Sequence, residues 1–192
     1  MNEKIEQYVR NHGRDFMEWL CDIISIPSPT GHEQAKGEWI LNLLHQWGAA
    51  GAYRDAAGNV VYPCHVKSGE KVALYTAHID TVFQDLQEIH IRQTGHILSA
   101  PSCSDNSASI AGLLFIIKMF HDLQLTPPQG LLFAFDVGEE GLGNLKGMRQ
   151  VMADWHGRIA EVVAVDCTFD TFVTTAVGSR RYAVTVEAAG GH

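Results

Sequence analysis

The chain has 192 residues, 46% of them hydrophobic, with 14 basic and 22 acidic side chains and a net charge of −8. This length and composition suit one soluble domain with a sizeable core. The N-terminus is polar and acidic, unlike a secretory signal, and no apolar run approaches the roughly 20 residues of a membrane span. We therefore expect a cytoplasmic protein with no membrane partner. The acidic balance also argues against a nucleic-acid partner, which requires a basic surface.

The first half of the chain is predicted to contain two helices and several strands. Hydrophobic spacing predicts an amphipathic helix over 2–26 and another over 33–47. Short apolar runs predict strands over 59–66 and 71–77, and the polar segment 84–99 is predicted as a hairpin. The cysteines lack metal or redox spacing and are predicted to be small buried residues; they are Cys21, Cys64, Cys103 and Cys167.

The second half alternates between helical and strand patterns. Its strongest helix is predicted to begin at a cap formed by Ser104 or Asp105. Such alternation predicts an α/β fold, with helices covering both faces of a largely parallel sheet. The patterns predict a helix over 104–123, a strand over 130–137, a helix over 145–155, a strand over 161–165 and further β structure over 172–188.

Polar side chains follow the predicted strands at the points where these strands end. Because the carboxyl ends of parallel strands share one edge of a sheet, we expect these side chains to converge there. Five carboxylates at one place repel one another unless a cation neutralises them, so the pattern predicts a divalent metal cluster. The residues of this predicted cluster are His78, Asp80, Asp105, Glu139, Glu140 and Asp166.

Spacing along the chain suggests separate roles within this cluster. Residues two apart in an extended segment face the same way, so His78 can bind the metal while Asp80 orients its imidazole. Glu139 and Glu140 are adjacent and point differently, so one can bind metal while the other acts as general base. Taken singly, these residues have ordinary structural explanations. His78 could be a buried histidine paired with a nearby acid, Glu139 and Glu140 could form a solvated turn, and Asp105 could cap a helix.

The order of these motifs resembles a known enzyme family. His78-Ile-Asp80, Ser104-Asp105-Asn106, Glu139-Glu140-Gly141 and Asp166 occur as in the co-catalytic zinc peptidases and amidohydrolases. That family includes aminoacylase, acetylornithine deacetylase, succinyl-diaminopimelate desuccinylase and carboxypeptidase G. Segments 26–33 and 178–192 also resemble the family. The resemblance implies a three-layer α/β/α sandwich with a mainly parallel mixed sheet, as in the zinc exopeptidase catalytic domains.

The resemblance also implies a role for each site residue. Asp105 would bridge two zinc ions, with His78 and Asp166 completing one site and Glu140 serving the other. Glu139 would be the catalytic base, supported by Asp80, in hydrolysis of a peptide or N-acyl amide bond. A cis peptide is implied between Asp105 and Asn106. His192 matches a lid histidine that contacts substrate. Cobalt or manganese would also suit these ligands.

The resemblance is incomplete, because a further histidine ligand of the family lies beyond its lid domain. We therefore expect 1–177 to be the N-terminal part of a catalytic domain and 178–192 the truncated start of a lid. Such a piece would bind one zinc ion or none and be inactive. Its exposed sheet surface would favour self-association.

Other functions remain open at this stage. The fold could serve as a non-catalytic metal-binding or protein-interaction module. A nucleotide site at Gly138 to Gly143 is disfavoured, because its glycine spacing is wrong and its two carboxylates would repel phosphate. For a hydrolase, the expected substrate is a small peptide or an N-acyl amino acid. A succinylated substrate is equally compatible with the sequence.

Overall fold

A computed structural model describes residues 2–85, 88–166, 170–180 and 182–190. None of the helices in these ranges is long and apolar enough to cross a membrane. The helices are α1 (Asn2–Asn11), α2 (Gly13–Ser25), α3 (Gln34–Gln46), α4 (Ala108–Asp122) and α5 (Lys146–Asp154). The strands are β1 (Tyr53–Arg54), β2 (Val60–Cys64), β3 (Val72–His78), β4 (Arg92–Thr94), β5 (Ile97–Ser99), β6 (Leu131–Asp136) and β7 (Ile159–Ala164).

The main sheet has the strand order β1-β2-β6-β3-β7. Its centre is parallel, because β3 runs in the same direction as both β6 and β7. β1 and β2 are antiparallel additions at one side, while β4 and β5 form a separate hairpin. In the parallel register His78 lies opposite Asp136, so both strands end together at the edge where the predicted site residues follow.

Helices pack on both faces of this sheet and confirm the predicted three-layer α/β/α architecture. On one face α2, α3 and α4 bury the apolar side chains of Ile24, Leu44 and Leu114 in a core shared with Phe133 of the sheet. On the other face Val151 of α5 joins strand residues in a smaller core. Each such side chain contributes about 1.5–3 kcal/mol when fully buried, so the two cores hold the strand ends in fixed positions.

The first predicted helix, over 2–26, is divided into two in the structure. α1 ends at Asn11, and α2 begins at Gly13 after a non-helical His12 with φ −113° and ψ 14°. The His12 ring stacks on Tyr8 at a centroid distance of 3.9 Å, and its Nδ1 lies 2.9 Å from the Tyr8 carbonyl oxygen. Periodicity alone did not reveal this break, because the apolar spacing continues across it.

The predicted helix cap at Ser104 or Asp105 is wrong. An irregular turn occupies Cys103–Ser107 and α4 begins only at Ala108, without a side-chain cap. Asp105 has the non-helical angles φ −115° and ψ 93°, and its peptide bond to Asn106 is cis, as the resemblance implied. Asp105 therefore belongs to the site edge of the sheet rather than to the helix.

Three other expectations also need correction. Cys64 is buried, but Cys21 and Cys103 are partly exposed, and Cys167 lies outside the described residues. Within 172–188, the residues that the structure describes form no paired strand and are exposed. A strand needs a neighbour for its backbone N–H and C=O groups, and no described strand lies beside this segment. In 84–99, the hairpin covers only β4 and β5.

Candidate metal centre

His78 lies at the centre of the candidate site, at the last position of β3, and its side chain is buried. Its Nδ1 lies 3.0 Å from the carbonyl oxygen of Asp80 and 3.5 Å from Asp80 Oδ1. Because a carbonyl oxygen only accepts, Nδ1 carries a hydrogen and donates it. The other ring nitrogen, Nε2, lies 3.0 Å from Asp105 Oδ1 and 3.7 Å from Asp166 Oδ1.

The carboxylates predicted to converge do meet around His78. Ligand atoms of His78, Asp105 and Asp166 all lie within 4.8 Å of one another. The same limit holds for His78, Glu139 and Glu140. The two groups share the imidazole, so one histidine and four carboxylates form a single cluster at the edge of the sheet.

The concentration of negative charge shifts the protonation of the cluster. Burial lowers the pKa of His78, but the carboxylates of Asp166 and Asp80 raise that pKa to about 11. Burial raises the pKa of both Glu139 and Glu140, and neighbouring carboxylates raise these pKa values further. Without a cation, a proton on His78 therefore supplies the positive charge that the acidic groups require.

Asp80 connects the histidine with the loop that carries both glutamates. Its Oδ1 accepts the backbone N–H of Glu139 at 3.0 Å, and its Oδ2 accepts that of Glu140 at 3.0 Å. Oδ2 also accepts the hydroxyl of Thr30 at 2.9 Å. Burial would raise the pKa of Asp80, but the hydrogen bonds from His78, both backbone amides and Thr30 lower it. Asp80 is thus an ionised anchor for this loop.

Two buried asparagines fix the segments on either side of the site. Asn106 Nδ2 donates to the Val165 carbonyl at 2.9 Å and joins the Cys103–Ser107 turn to the residue before Asp166. Asn59 Oδ1 accepts the Val137 N–H at 2.9 Å, and its Nδ2 donates to the Gly147 carbonyl at 2.8 Å. Asn59 therefore holds both ends of the loop that contains Glu139 and Glu140.

Lys36 is a further charged residue that sequence reasoning missed. It extends from α3, and its side chain is only 1% exposed. Burial lowers its pKa to about 8, while the charge of Asp80 raises that pKa. The spacing of Lys36 with Ile40 and Leu44, at four-residue intervals on the buried face of α3, could have revealed this lysine. Thr30 was missed as well, although its segment was part of the family resemblance.

The donor atoms fit a divalent cation. In the part of the chain that the structure describes, buried Asp105 Oδ1 has no hydrogen bond, although His78 Nε2 lies 3.0 Å away. The two atoms are therefore close without the alignment of a hydrogen bond, as expected for groups directed at a shared ion. An imidazole nitrogen with several carboxylate oxygens suits zinc, and also cobalt or manganese.

A small cavity of about 270 Å³ adjoins this cluster, with Asp105 and Glu140 in its lining. A larger cavity of about 550 Å³ lies elsewhere, between α1, α4 and the sheet. Its described lining includes Tyr75, Met119 and Phe133 but no histidine, cysteine or acidic residue. The smaller cavity is therefore the one next to chemically active groups. His192, predicted to contact substrate, lies outside the described residues.

The three-layer fold carries a cluster of possible metal ligands at the carboxyl ends of its parallel strands. The chain belongs to peptidase family M20/M25/M40, whose family model matches residues 74–186. This membership confirms the resemblance found in the sequence.

Individual proteins resemble this chain in sequence or in fold. The chain is 32% identical over 134 residues to a LysW-lysine/LysW-ornithine hydrolase of Pyrococcus abyssi (strain GE5 / Orsay), covering 69% of this chain and 35% of that protein. The structure of human carnosine dipeptidase 1 matches with a TM-score of 0.70 at 14% identity, over 85% of this chain and 41% of that one. A Staphylococcus aureus tripeptidase matches with a TM-score of 0.63 at 20% identity, over 81% and 43%. The chain thus spans less than half the length of each.

Proposed function

We propose that this chain forms the zinc-binding part of an enzyme that hydrolyses peptide or N-acyl amide bonds. The observation that carries the proposal is the convergence of four carboxylates on the buried imidazole of His78. Family membership supports the hydrolase class. The names of the relatives, which include a dipeptidase and a tripeptidase, support a small peptide as substrate. An N-acyl amino acid is the alternative that the family resemblance implies.

In this proposal His78, Asp105 and Asp166 hold one metal ion, and Glu140 with Asp105 serves a second. A bound zinc ion polarises an amide carbonyl and lowers the pKa of water. Glu139 is the general base: its carboxylate takes a proton from water and returns it to the leaving amine. The raised pKa of Glu139 supports this role, because a more basic carboxylate retains a proton more readily.

Asp80 acts in this proposal as a positioning residue. Its backbone carbonyl fixes the His78 tautomer by accepting from Nδ1 at 3.0 Å. Its carboxylate fixes the backbone of Glu139 and Glu140 at the same time. One residue thus orients the metal ligand and the base, so a disturbance at Asp80 affects both.

By itself, the chain is proposed to bind one zinc ion weakly and to show negligible turnover. The described site contains a single histidine, whereas the family resemblance implies a second histidine ligand. The division into a catalytic part, 1–177, and a lid part, 178–192, stays a prediction, as do contact of His192 with substrate and a cytoplasmic location. Self-association is supported by the outer edge of β7, which pairs with no other strand in the described ranges.

Zinc titration by calorimetry and thermal unfolding tests the metal site. Zinc should bind the chain and raise its melting temperature, and His78→Ala should abolish both effects. His156→Ala, which removes an exposed histidine after α5, is the matched control and should leave both unchanged. Unchanged zinc affinity in His78→Ala would contradict the proposal and favour a protein-interaction module.

Activity measurements separate the parts of the proposal. Hydrolysis of N-acyl amino acids that disappears in Glu139→Ala would support the hydrolase assignment and the role of the base. Either this hydrolysis or tight binding of two zinc ions would show that the chain is not an inactive piece. Glu139→Gln should retain zinc binding, because Glu139 is proposed as a base and not as a ligand.

A further inference from the structure

We infer that Lys146 positions the two glutamates of the candidate site, because its side chain joins the loop 137–145, which carries them, to the segment before α3. Its partner in that segment is the buried carboxylate of Glu33. The functional meaning of this link rests on the proposed function, which gives Glu139 and Glu140 their roles. The link itself consists of contacts within this chain, so it can be tested without metal or turnover.

Glu33 requires a positive partner. It lies directly before α3, and its side chain is only 6% exposed. Its Oε1 accepts the Gly31 N–H at 2.8 Å, and its Oε2 lies 3.7 Å from Lys146 Nζ. Burial removes most of the hydration of a carboxylate, so its charge needs compensation within the protein. The partly exposed ammonium of Lys146 supplies this compensation.

The segment that carries Glu33 is tied to Asp80, which anchors the loop 137–145. The Thr30 hydroxyl donates to Asp80 Oδ2 at 2.9 Å, and the Thr30 N–H donates to the Thr81 carbonyl at 3.2 Å. Asp80 in turn accepts the backbone N–H groups of both glutamates. Lys146 therefore connects the end of the loop to the same segment that contacts its anchor.

The aliphatic stem of Lys146 lies against Gly138, the residue directly before Glu139. A Cβ atom at Gly138 would lie 2.8 Å from Lys146 Cγ and 2.9 Å from Lys146 Cε. Gly138 has φ +67°, in the left-handed region that favours glycine. The lysine thus occupies the space that a side chain at position 138 would need, and its contact fixes the backbone that leads from β6 to the first glutamate.

Lys146 is the first residue of α5, where a positive charge opposes the helix dipole and an acidic residue is favoured. Local helix preference therefore does not explain a lysine here. Its N–H donates to the Gly143 carbonyl at 3.1 Å, while its ammonium reaches Glu33 in a distant part of the chain. The ion pair supplies the compensating gain that a locally unfavourable residue needs.

Hydrogen exchange of the metal-free chain, followed by NMR, tests the link at the Glu139 and Glu140 amides. Both amides donate to Asp80, so their exchange measures opening of the loop. Lys146→Met retains a stem over Gly138 but removes the charge. It should speed exchange at both amides about three- to tenfold, an effect between those of exposed and buried ion pairs. Exchange inside β3 and β6 should stay unchanged.

Two further variants separate a specific ion pair from a general loss of stability. Lys146→Arg keeps the charge and should restore native exchange at both amides. Lys4→Met removes an exposed lysine of α1, controls for net charge and should leave both amides unchanged. Native exchange in Lys146→Met, the same acceleration in Lys146→Arg, or equal acceleration at every strand amide would overturn the inference.

A double-mutant cycle tests Glu33 as the partner. Glu33→Gln removes the charge and retains an oxygen that can accept the Gly31 N–H. Glu33→Gln and Lys146→Met should each accelerate exchange at the two glutamate amides. The double variant should show little more acceleration than either single variant, because both remove the same interaction. Accelerations that multiply in the double variant would contradict the pairing.

Calorimetric zinc titration distinguishes failure of this inference from failure of the proposed function. Zinc affinity should stay near native in Lys146→Met, because the ligands proposed for the first ion, His78, Asp105 and Asp166, lie outside the loop 137–145. A large loss of affinity would show that Lys146 acts through the whole fold and would overturn the inference. Absence of zinc binding to the native chain would contradict the proposed metal site, while hydrogen exchange would still decide whether Lys146 holds the loop.

Discussion

Asp80 Oδ1 accepts the backbone N–H of Glu139 at 3.0 Å, which joins the residue behind His78 to the proposed general base. The two residues are 59 positions apart in the chain and belong to loops after different parallel strands. The same carboxylate also accepts the N–H of Glu140. Ligand orientation and base position are therefore not independent features of this site.

We predict that Asp80→Asn weakens zinc binding about 10- to 100-fold, as expected when a group that orients a metal ligand is altered. An amide NH₂ group cannot accept the hydrogen bonds that a carboxylate oxygen accepts. The free energy of unfolding without zinc should fall by about 1–3 kcal/mol, because a buried N–H loses its acceptor. Calorimetric zinc titration and urea unfolding measure the two effects.

Asp122→Asn is the matched control for this prediction. Asp122 is the last residue of α4, and its Oδ2 accepts the Tyr8 hydroxyl at 2.7 Å. This variant should lose stability while retaining zinc affinity. An equal loss of zinc affinity in both variants would show that Asp80 acts only through general stability.

Zinc binding at pH 7.5 should release about one proton from His78. Opposing the effect of burial, neighbouring carboxylates raise the pKa of His78 to about 11, so the imidazole is protonated before zinc arrives. Zinc must displace the proton on Nε2. Calorimetry in two buffers of different ionisation enthalpy measures this release. A binding enthalpy independent of the buffer would contradict the prediction.

Lys36→Met should alter the pH dependence of stability. Burial lowers the pKa of Lys36 from 10.5 to about 8, so between these values the unfolded chain binds more protons than the folded chain. The stability of the native protein relative to Lys36→Met should therefore rise with pH across this window. The total change in this stability difference should be at most about 3 kcal/mol. Below pH 8 Lys36 is charged in the folded chain, so the free-energy cost of burying its charge is then present in full.

Urea unfolding at several pH values between 7 and 11 checks the lysine prediction. Lys71→Met, which removes an exposed lysine just before β3, controls for the change in net charge. A constant stability difference between native protein and Lys36→Met across this range would contradict the prediction.

Gly147→Ala should destabilise the fold by more than about 2 kcal/mol, since overpacking strains a tightly packed site. A Cβ atom at Gly147 would lie 2.6 Å from the Val137 backbone nitrogen and would also collide with the Asn59 side chain. Gly112→Ala is the matched control, because a Cβ there meets nothing within 4 Å inside α4. That change should stabilise the protein by about 0.5–1 kcal/mol. Urea unfolding measures both, and equal effects would contradict the packing argument.

The sequence identified the residues of the candidate cluster because their position follows from sheet topology. In parallel strands, residues at the carboxyl ends meet whatever the details of side-chain packing. His78 and Glu139 were therefore predictable from two apolar runs and the polar residues after them. The three-layer fold was predictable for the same reason, since alternating strands and helices leave few arrangements.

Contacts that depend on tertiary packing were not predictable. Thr30 reaches Asp80 across 50 positions, and Asn106 reaches Val165 across 59. Hydrophobic periodicity does not indicate which distant residues form such hydrogen bonds. The expected cap at Asp105 was wrong for a related reason: an acidic residue before a helix is usually a cap, and only the observed backbone reveals the irregular turn.

Asn59 gives the loop after β6 a further property. Its side chain bonds to Val137 and Gly147, while Asp80 holds the backbone at Glu139 and Glu140. The tip beyond these anchors contains Leu142, which is 88% exposed. The Gly143 N–H closes this tip by donating to the Glu140 carbonyl at 2.8 Å, so changes of the Leu142 side chain, rather than insertions, leave the backbone of both glutamates in place. The outer rim of the site can therefore diversify by substitution while the proposed catalytic groups keep their positions.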